Sequence, residues 1–213
     1  MLDTLYTCLI QDARLGMHAA HALRVLMLHS RLVSPSRGFV VRRLYRQRAM
    51  ETMLVALTKE LEGRRTAREP CLVAMATLLP GATDALVSMH LTTWLPLLVH
   101  TLGMDDAPVR LTCARTLQRI VSRDHAAALL EHLPLLVPRL LEAAATPQAP
   151  CLRVAALQAL QALTDAVPAA HLDAYRRAVV QALGRPHRGV DDAVRAVRTA
   201  AVDCRAAWYA TQE

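Results

Sequence analysis

Few residues in this 213-residue sequence are of a type and spacing that could bind a metal. His18 and His21 stand three residues apart, so one helix face could present both imidazoles to an ion, with Asp12 or His29 close in sequence. No fourth ligand follows at a suitable spacing, and the five cysteines form no CxxC or Cys/His cluster. We therefore predict no metal and no cofactor.

The patterns of common catalytic sites are also missing from the sequence. It has no G-x-S-x-G turn, no phosphate-binding loop and no HExxH pair. Cys71 and His90 are the one Cys/His combination that merits a check, and no motif orients them toward each other. We predict that the protein is not an enzyme.

Arginine is the polar residue with the clearest pattern. The formal net charge is +7, and Lys59 is the only lysine. Four arginines fall within seven residues around Tyr45, whose ring can stack or hydrogen-bond. The segment is either a solvated helix face or a binding site for an acidic partner. The predicted contact residues are Arg42, Tyr45, Arg46, Gln47 and Arg48.

The composition predicts which elements position these residues. Hydrophobic residues make up 54% of the chain and aromatic residues 3%, with abundant Ala and Leu. This balance excludes a β-rich domain and a disordered chain, and it favours packed helices. The widely spaced cysteines and the absence of a basic, secretory-type start favour a reduced environment, cytoplasmic or nuclear.

An internal repeat predicts how the helices pack. An apolar residue followed by arginine opens three related segments, at Arg110, Arg153 and Arg198, and these arginines are separated by 43 and 45 residues. First helices also repeat, with Pro96 and Pro138 at equivalent places. A period near 40–47 residues is typical of HEAT and armadillo repeats. We predict an all-α fold, an α-solenoid of about four to five HEAT-type helical hairpins.

The breaks between apolar runs set the predicted boundaries. A single domain, 1–213, is expected to hold irregular helices over 1–50, with separate helices over 38–49 and 51–62. The hairpins are then predicted at 51–80, 89–122, 132–166 and 171–209. The uncharged stretch 85–104 has the length of a membrane span, but it occupies a first-helix position of the repeat, so we predict no membrane contact. The amino-terminal helix has few charges, and we expect a longer solenoid on that side.

The repeated arginines suggest a structural role. Each is predicted to bond an aspartate or a carbonyl of the adjacent repeat, which makes Arg110, Arg153 and Arg198 a structural ladder. In the last helix, predicted over 190–209, one apolar stripe runs from Val190 through Val194 and Val197 to Trp208, which either closes the core or anchors a partner. Largely off that stripe, on the face that can meet water, lie Asp191, Asp192, Arg195, Arg198 and Arg205. Arg195, Arg205 and Trp208 are further candidate partner-binding residues.

Two segments carry a family resemblance. Val41 to Arg48 contains Leu-Tyr-Arg-Gln-Arg, and the last helix contains Val-Arg-x-x-Ala-Val-x-x-Arg-x-x-Trp, from Val197 to Trp208. Together they resemble the carboxy-terminal HEAT repeats of the Mms-nineteen family over about residues 38–209, whereas residues 1–37 match poorly. Whole family members are several times longer, so we expect a fragment or a truncated paralogue.

The resemblance implies a function. The family consists of HEAT-repeat adaptors of the cytosolic iron–sulfur assembly targeting complex, which deliver clusters to apoproteins of DNA repair and replication. Its carboxy-terminal repeats dock a WD-repeat propeller and a small assembly subunit. By this resemblance the chain is expected to be a non-enzymatic scaffold that binds these subunits and iron–sulfur apoproteins.

A basic α-solenoid that binds nucleic acid, or an unrelated acidic protein, is the alternative. Against direct nucleic-acid binding, aromatic side chains that could stack on bases are scarce, and the arginines are interspersed with acidic residues. The adaptor is therefore the function that we predict.

Overall fold

The computed structural model describes residues 2–11, 13–27, 33, 35–38, 43–62, 69–121 and 123–211. Within these ranges the chain forms ten α-helices and no strand, and the predicted all-α class of solenoid type is confirmed. The helices are α1 (Leu2–Gln11), α2 (Ala13–Met27), α3 (Arg43–Glu62), α4 (Glu69–Leu78), α5 (Asp84–Thr101), α6 (Ala107–Ile120), α7 (Ala126–Ala144), α8 (Pro150–Ala166), α9 (Ala169–Leu183) and α10 (Arg195–Ala210).

The chain divides into two compact units, Met1–Leu97 and Leu98–Glu213. In the first unit α4 is the central helix, and α1, α2 and α3 all contact it. Every residue from Pro70 to Leu78 is buried, so this part of α4 has no solvent face. The indole Nε1 of Trp94 on α5 donates to the hydroxyl of Thr58 on α3 at 2.7 Å, which pairs two buried polar groups.

The second unit has two layers of helices. α6, α8 and α10 pack side by side in one layer, α7 and α9 form the other, and the two layers meet where α7 contacts α8 and α9 contacts α10. α8 lies between α6 and α10, and for this reason it is apolar over most of its circumference. The prolines inside α7, Pro134 and Pro138, are on its solvent side, where a missing backbone N–H is tolerated.

The helix boundaries differ from the predicted ones in several places, among them the starts of α5 at Asp84 and of α7 at Ala126, where hairpins were predicted from 89 and 132. The separate helices predicted over 38–49 and 51–62 are wrong, because Arg43–Glu62 is one continuous helix of 20 residues. The last helix was predicted from residue 190 but begins at Arg195, after a short 3-10 turn at Gly189–Asp191. That residues 1–213 form one domain stays a prediction, as do the outer limits of the repeats.

The uncharged stretch 85–104 lies mostly in α5. Neither α5 nor any other helix among the described residues combines the length and the apolar character that a bilayer crossing needs.

Candidate partner-binding surface

The arginine-rich segment begins α3, and the helix separates its residues into two sets. Tyr45 is 63% exposed and Arg48 is also exposed, one turn apart on the same face. Arg46 and Gln47 are only half-exposed, and the Gln47 amide donates to the Glu51 carboxylate at 3.2 Å. Arg42 lies outside the described residues. Of the five contact residues predicted here, the structure therefore presents Tyr45 and Arg48 to solvent.

Sequence reasoning missed one residue of this face. Leu44 is 58% exposed and lies one turn before Arg48. An exposed leucine beside an exposed tyrosine and an arginine has the composition of an interface centre, in which aromatic and arginine side chains are enriched. The signal in the sequence that could have found Leu44 is its spacing of four residues from Arg48, which places both on one face of a helix. We call Leu44, Tyr45 and Arg48 the α3 surface.

The predicted arginine ladder has one complete rung in the second unit. The Nη2 of Arg153 donates to Oδ1 of Asp192 at 3.1 Å, and its Nε lies 3.0 Å from Oδ2. The Nη1 donates to the carbonyls of Thr146 and Pro147, at 2.9 and 2.5 Å. Arg153 is 7% and Asp192 6% exposed. The guanidinium therefore joins the loop before α8 to the loop before α10, as predicted for an arginine that bonds the adjacent repeat.

The other two arginines of the ladder differ from Arg153. The Nη1 of Arg198 donates to the carbonyls of Asp192 and Ala193 at 2.8 and 3.1 Å, within its own hairpin. The Nε of Arg110 is buried and has no hydrogen-bond partner among the described residues. The position equivalent to Asp192 explains the difference. Asp192 lies three residues before α10, whereas the residue three before α8 is Pro147, so Arg110 has no carboxylate at the equivalent place. The bond to an adjacent repeat is thus made by Arg153 only, within the described part of the chain.

The predicted outward position of Asp192 is wrong. Its carboxylate is buried, binds Arg153, and also accepts from the backbone N–H of Val194 at 2.8 Å. The apolar stripe itself is correct from Val197 to Trp208, but Val194 is 36% exposed because the helix has not yet begun there. Helical periodicity predicts the buried face only within a helix, so it assigns the wrong face to residues that lie outside the helix end.

Trp208 closes the core. Its ring is 0% exposed, and Nε1 donates to the carbonyl of Leu160 at 3.0 Å. A partner anchor needs an exposed ring, so this placement corrects the assignment of Trp208 to the partner-binding residues and agrees with the alternative of core closure. Burial follows from the i, i+4 position of Trp208 relative to buried Cys204.

The other candidates on α10 remain at the surface. Arg195 is exposed at the start of the helix. Arg205 lies over the Tyr209 ring, 5.4 Å from its centroid, and its Nη2 donates to the Tyr209 hydroxyl at 3.3 Å. Tyr209 is 45% exposed, so this stacked pair forms an exposed cation–π contact that a partner could extend.

The two histidines with metal-like spacing are not gathered into a site. His18 is exposed, and its Nδ1 lies 3.0 Å from the carbonyl of Arg14. Asp12 and His29 lie outside the described residues. Across the residues that the structure describes, no three His, Cys, Asp or Glu side chains converge as metal ligands would.

The cysteines and His90 have structural surroundings. The Cys71 thiol donates to the carbonyl of Leu9 at 3.7 Å, and His90 stacks on Trp94 with 5.2 Å between the ring centroids. Burial raises the pKa of the Cys113 thiol far above its ordinary value and that of Cys204 to about 12. Nucleophilic chemistry needs the thiolate, so these two thiols are inert at neutral pH.

The chain has stacked helical hairpins, and a buried ion pair joins adjacent hairpins. Basic side chains lie on exposed helix faces. These features define a helical-repeat protein of the α-solenoid class. A family profile described as "RNAPII transcription regulator C-terminal", MMS19_C, matches residues 1–164. The chain belongs to this family. The match begins at residue 1 and therefore includes residues 1–37, where the predicted resemblance was poor.

Curated relatives match nearly the whole chain. The "MMS19 nucleotide excision repair protein homolog" of Bos taurus is 30% identical over 94% of this chain, and that of Homo sapiens is equally similar. The homologue of Mus musculus is 30% identical over 98% of the chain. The chain spans about a fifth of the length of these relatives, 19% of the first two and 20% of the third.

Proposed function

We propose that this chain is a non-enzymatic adaptor of cytosolic iron–sulfur protein assembly in the cytoplasm and nucleus. In this function it docks a WD-repeat propeller and a small assembly subunit, and it helps to deliver clusters to apoproteins of DNA repair and replication. Membership of the MMS19 carboxy-terminal family supports the proposal. The relatives' names, which refer to nucleotide excision repair, are in keeping with clients of that class.

The observation that carries the proposal is the α3 surface. Its segment lies within the part of the chain that the family profile matches. Leu44 and Tyr45 are 58% and 63% exposed and adjacent, so together they form an apolar and aromatic patch on the helix surface. Arg48, beside them, supplies a guanidinium that can pair with a carboxylate in a bidentate manner. An apolar, aromatic and basic surface of this kind is suited to an acidic protein partner.

The experiment is affinity purification of the tagged chain from its own cells, with elution through a salt series and identification by mass spectrometry. We expect the propeller and the small assembly subunit to co-purify and to remain bound at high salt, because a packed protein interface depends on salt less than phosphate contacts do. The variant Tyr45→Ala with Arg48→Glu should reduce their recovery at least about tenfold.

Lys59→Glu is the matched control, since Lys59 is exposed on the same helix and its reversal changes the charge by the same amount as that of Arg48. Recovery of the subunits with this variant should equal that with the wild type. The proposal is wrong if the wild-type chain recovers neither subunit, or if nucleic acid is recovered and dissociates as the salt concentration rises.

A further inference from the structure

A groove of about 460 Å³ runs between α7 and α9. Small side chains create it: Ala144 on α7, and Ala178 and Ala182 on α9. Leu141 and Leu183 give it an apolar wall, and Leu183 is buried. The groove has the size of cavities that enclose small ligands, so it can take one or two large side chains. We call it the α7–α9 groove.

The loop between α9 and α10 edges the groove with positive charge. Arg185 and Arg188 line it, both are exposed, and neither makes an ion pair with the residues that the structure describes. Among the described residues that line the groove, Glu142 supplies the one carboxylate, and this group is already paired with the Arg139 guanidinium at 2.9 Å. The two loop guanidiniums are therefore available to an anionic ligand.

Hydrogen bonds restrain the backbone of this loop. His187 lies in the left-handed backbone region, with φ of 59°. Its backbone N–H donates to the Asp191 carboxylate at 2.8 Å. At the base of the loop, Asp192 is fixed by the buried pair with Arg153, beside a smaller cavity of about 190 Å³ that Arg188 also lines. The guanidiniums of Arg185 and Arg188 thus extend from a backbone that is fixed before a ligand binds.

We propose that the α7–α9 groove binds a short acidic segment of a partner protein, with an apolar side chain in the groove and carboxylates on Arg185 and Arg188. The proposal deepens the adaptor function and rests on it, since it names a second partner site, on the other structural unit from the α3 surface. Arginine pairs with carboxylates through two parallel hydrogen bonds, and the apolar groove supplies the desolvated centre that an interface needs.

A protein segment fits this site better than nucleic acid does. Among the described residues that line the groove, none is Phe, Tyr or Trp, so no base could stack there. The floor formed by the alanines, Leu141 and Leu183 is apolar and therefore matches a side chain rather than a phosphate backbone. Single-stranded DNA is accordingly the competing probe in the test.

The test selects short random peptides displayed on phage against the full chain, and measures the affinity of the enriched peptides. We expect sequences that combine Asp or Glu with one large apolar residue. Arg185→Glu with Arg188→Glu should weaken their binding at least about tenfold, as should Ala178→Trp, which fills the groove. Arg177→Glu and Ala174→Trp are the matched controls, because both residues are exposed on α9 and do not line the groove. Circular dichroism verifies that every variant is folded.

Three outcomes overturn the proposal: no acidic peptide is enriched, the enriched peptides bind the groove variants as tightly as the wild type, or a DNA oligonucleotide rather than a peptide depends on Arg185 and Arg188. Co-purification of the assembly subunits separates this proposal from the adaptor function. Subunits recovered without any acidic peptide leave the function standing and the groove proposal wrong. If acidic peptides bind the groove but no subunit is recovered, the groove proposal stands and the adaptor function is wrong.

Discussion

The guanidinium of Arg153 and the carboxylate of Asp192 form a two-point pair across adjacent hairpins, with nitrogen–oxygen distances of 3.0 and 3.1 Å. Both side chains are buried, and the remaining Nη1 of Arg153 is satisfied by two loop carbonyls. The Nε of Arg153 lies near Oδ2 without making a hydrogen bond, so the buried pair is stabilised by charge attraction and by the hydrogen bonds of the two Nη atoms. The pair also fixes the carboxy-terminal end of the loop that carries Arg188.

Loss of Arg153 should destabilise the fold before it affects binding. Arg153→Ala leaves the Asp192 carboxylate buried without its cation, so we expect the free energy of unfolding to fall by about 3–5 kcal/mol. Urea denaturation measures this change. Because the two side chains interact directly, Arg153→Ala with Asp192→Ala should cost less than the sum of the single changes. Arg177→Ala, at an exposed site, serves as the control. A fully stable Arg153→Ala chain that has lost its partners would contradict the structural role.

Trp208 and its neighbour Tyr209 allow a paired test of burial. Trp208→Ala removes a fully buried ring and the donor to Leu160, and should cost about 3–5 kcal/mol of unfolding free energy. Tyr209→Ala, where the ring is 45% exposed, should cost about 1 kcal/mol or less. Thermal denaturation followed by circular dichroism compares the two. Equal stabilities of the two variants would show that the indole does not close the core.

Gly189 should not tolerate a side chain. Its φ is 55°, and a Cβ there would lie 2.2 Å from the carbonyl oxygen of Leu183, which cannot move without disturbing the end of α9. Gly189→Ala should therefore cost more than the roughly 1–2 kcal/mol of the left-handed backbone conformation alone. Gly38 is the matched control, since its φ is 80° but a Cβ on it would meet no atom within 4 Å beyond its chain neighbours. Chemical denaturation of both variants measures the difference, and a Gly189→Ala chain as stable as Gly38→Ala would refute the steric argument.

The buried thiols predict a loss of stability at alkaline pH. Burial raises the pKa of Cys204 from 9.0 to about 12, so the unfolded chain releases this proton at lower pH than the folded chain. The contribution to stability is complete below pH 9.0 and falls as the pH rises from there toward 12. The slope is about 1.4 kcal/mol per pH unit for one thiol. Urea denaturation at a series of pH values should show a shallower decline for Cys204→Ala than for the wild type. Parallel declines would contradict the assignment.

Much of the local structure could be predicted from the sequence, because it depends on short-range patterns. Abundant Ala and Leu, Pro and Gly at the breaks, and a period near 43–45 residues between Arg110, Arg153 and Arg198 are enough to predict paired helices and the bonding position of Arg153. The segment around Tyr45 and the motif that ends at Trp208 were likewise enough to predict the family.

Other features depended on the phase of each helix and on contacts between residues distant in the chain. A charge pattern cannot distinguish Asp192, which is buried against Arg153 39 residues away, from the exposed Asp191 beside it. Helical phase turns Tyr45 and Arg48 toward solvent and Gln47 toward Glu51, although all belong to one basic segment. The α7–α9 groove exists only because alanines of two helices that are not consecutive in the sequence meet there. The sequence by itself determined that the chain forms paired helices with apolar faces. The tertiary structure decided which polar side chains are buried in pairs, since burial depends on what packs against each residue.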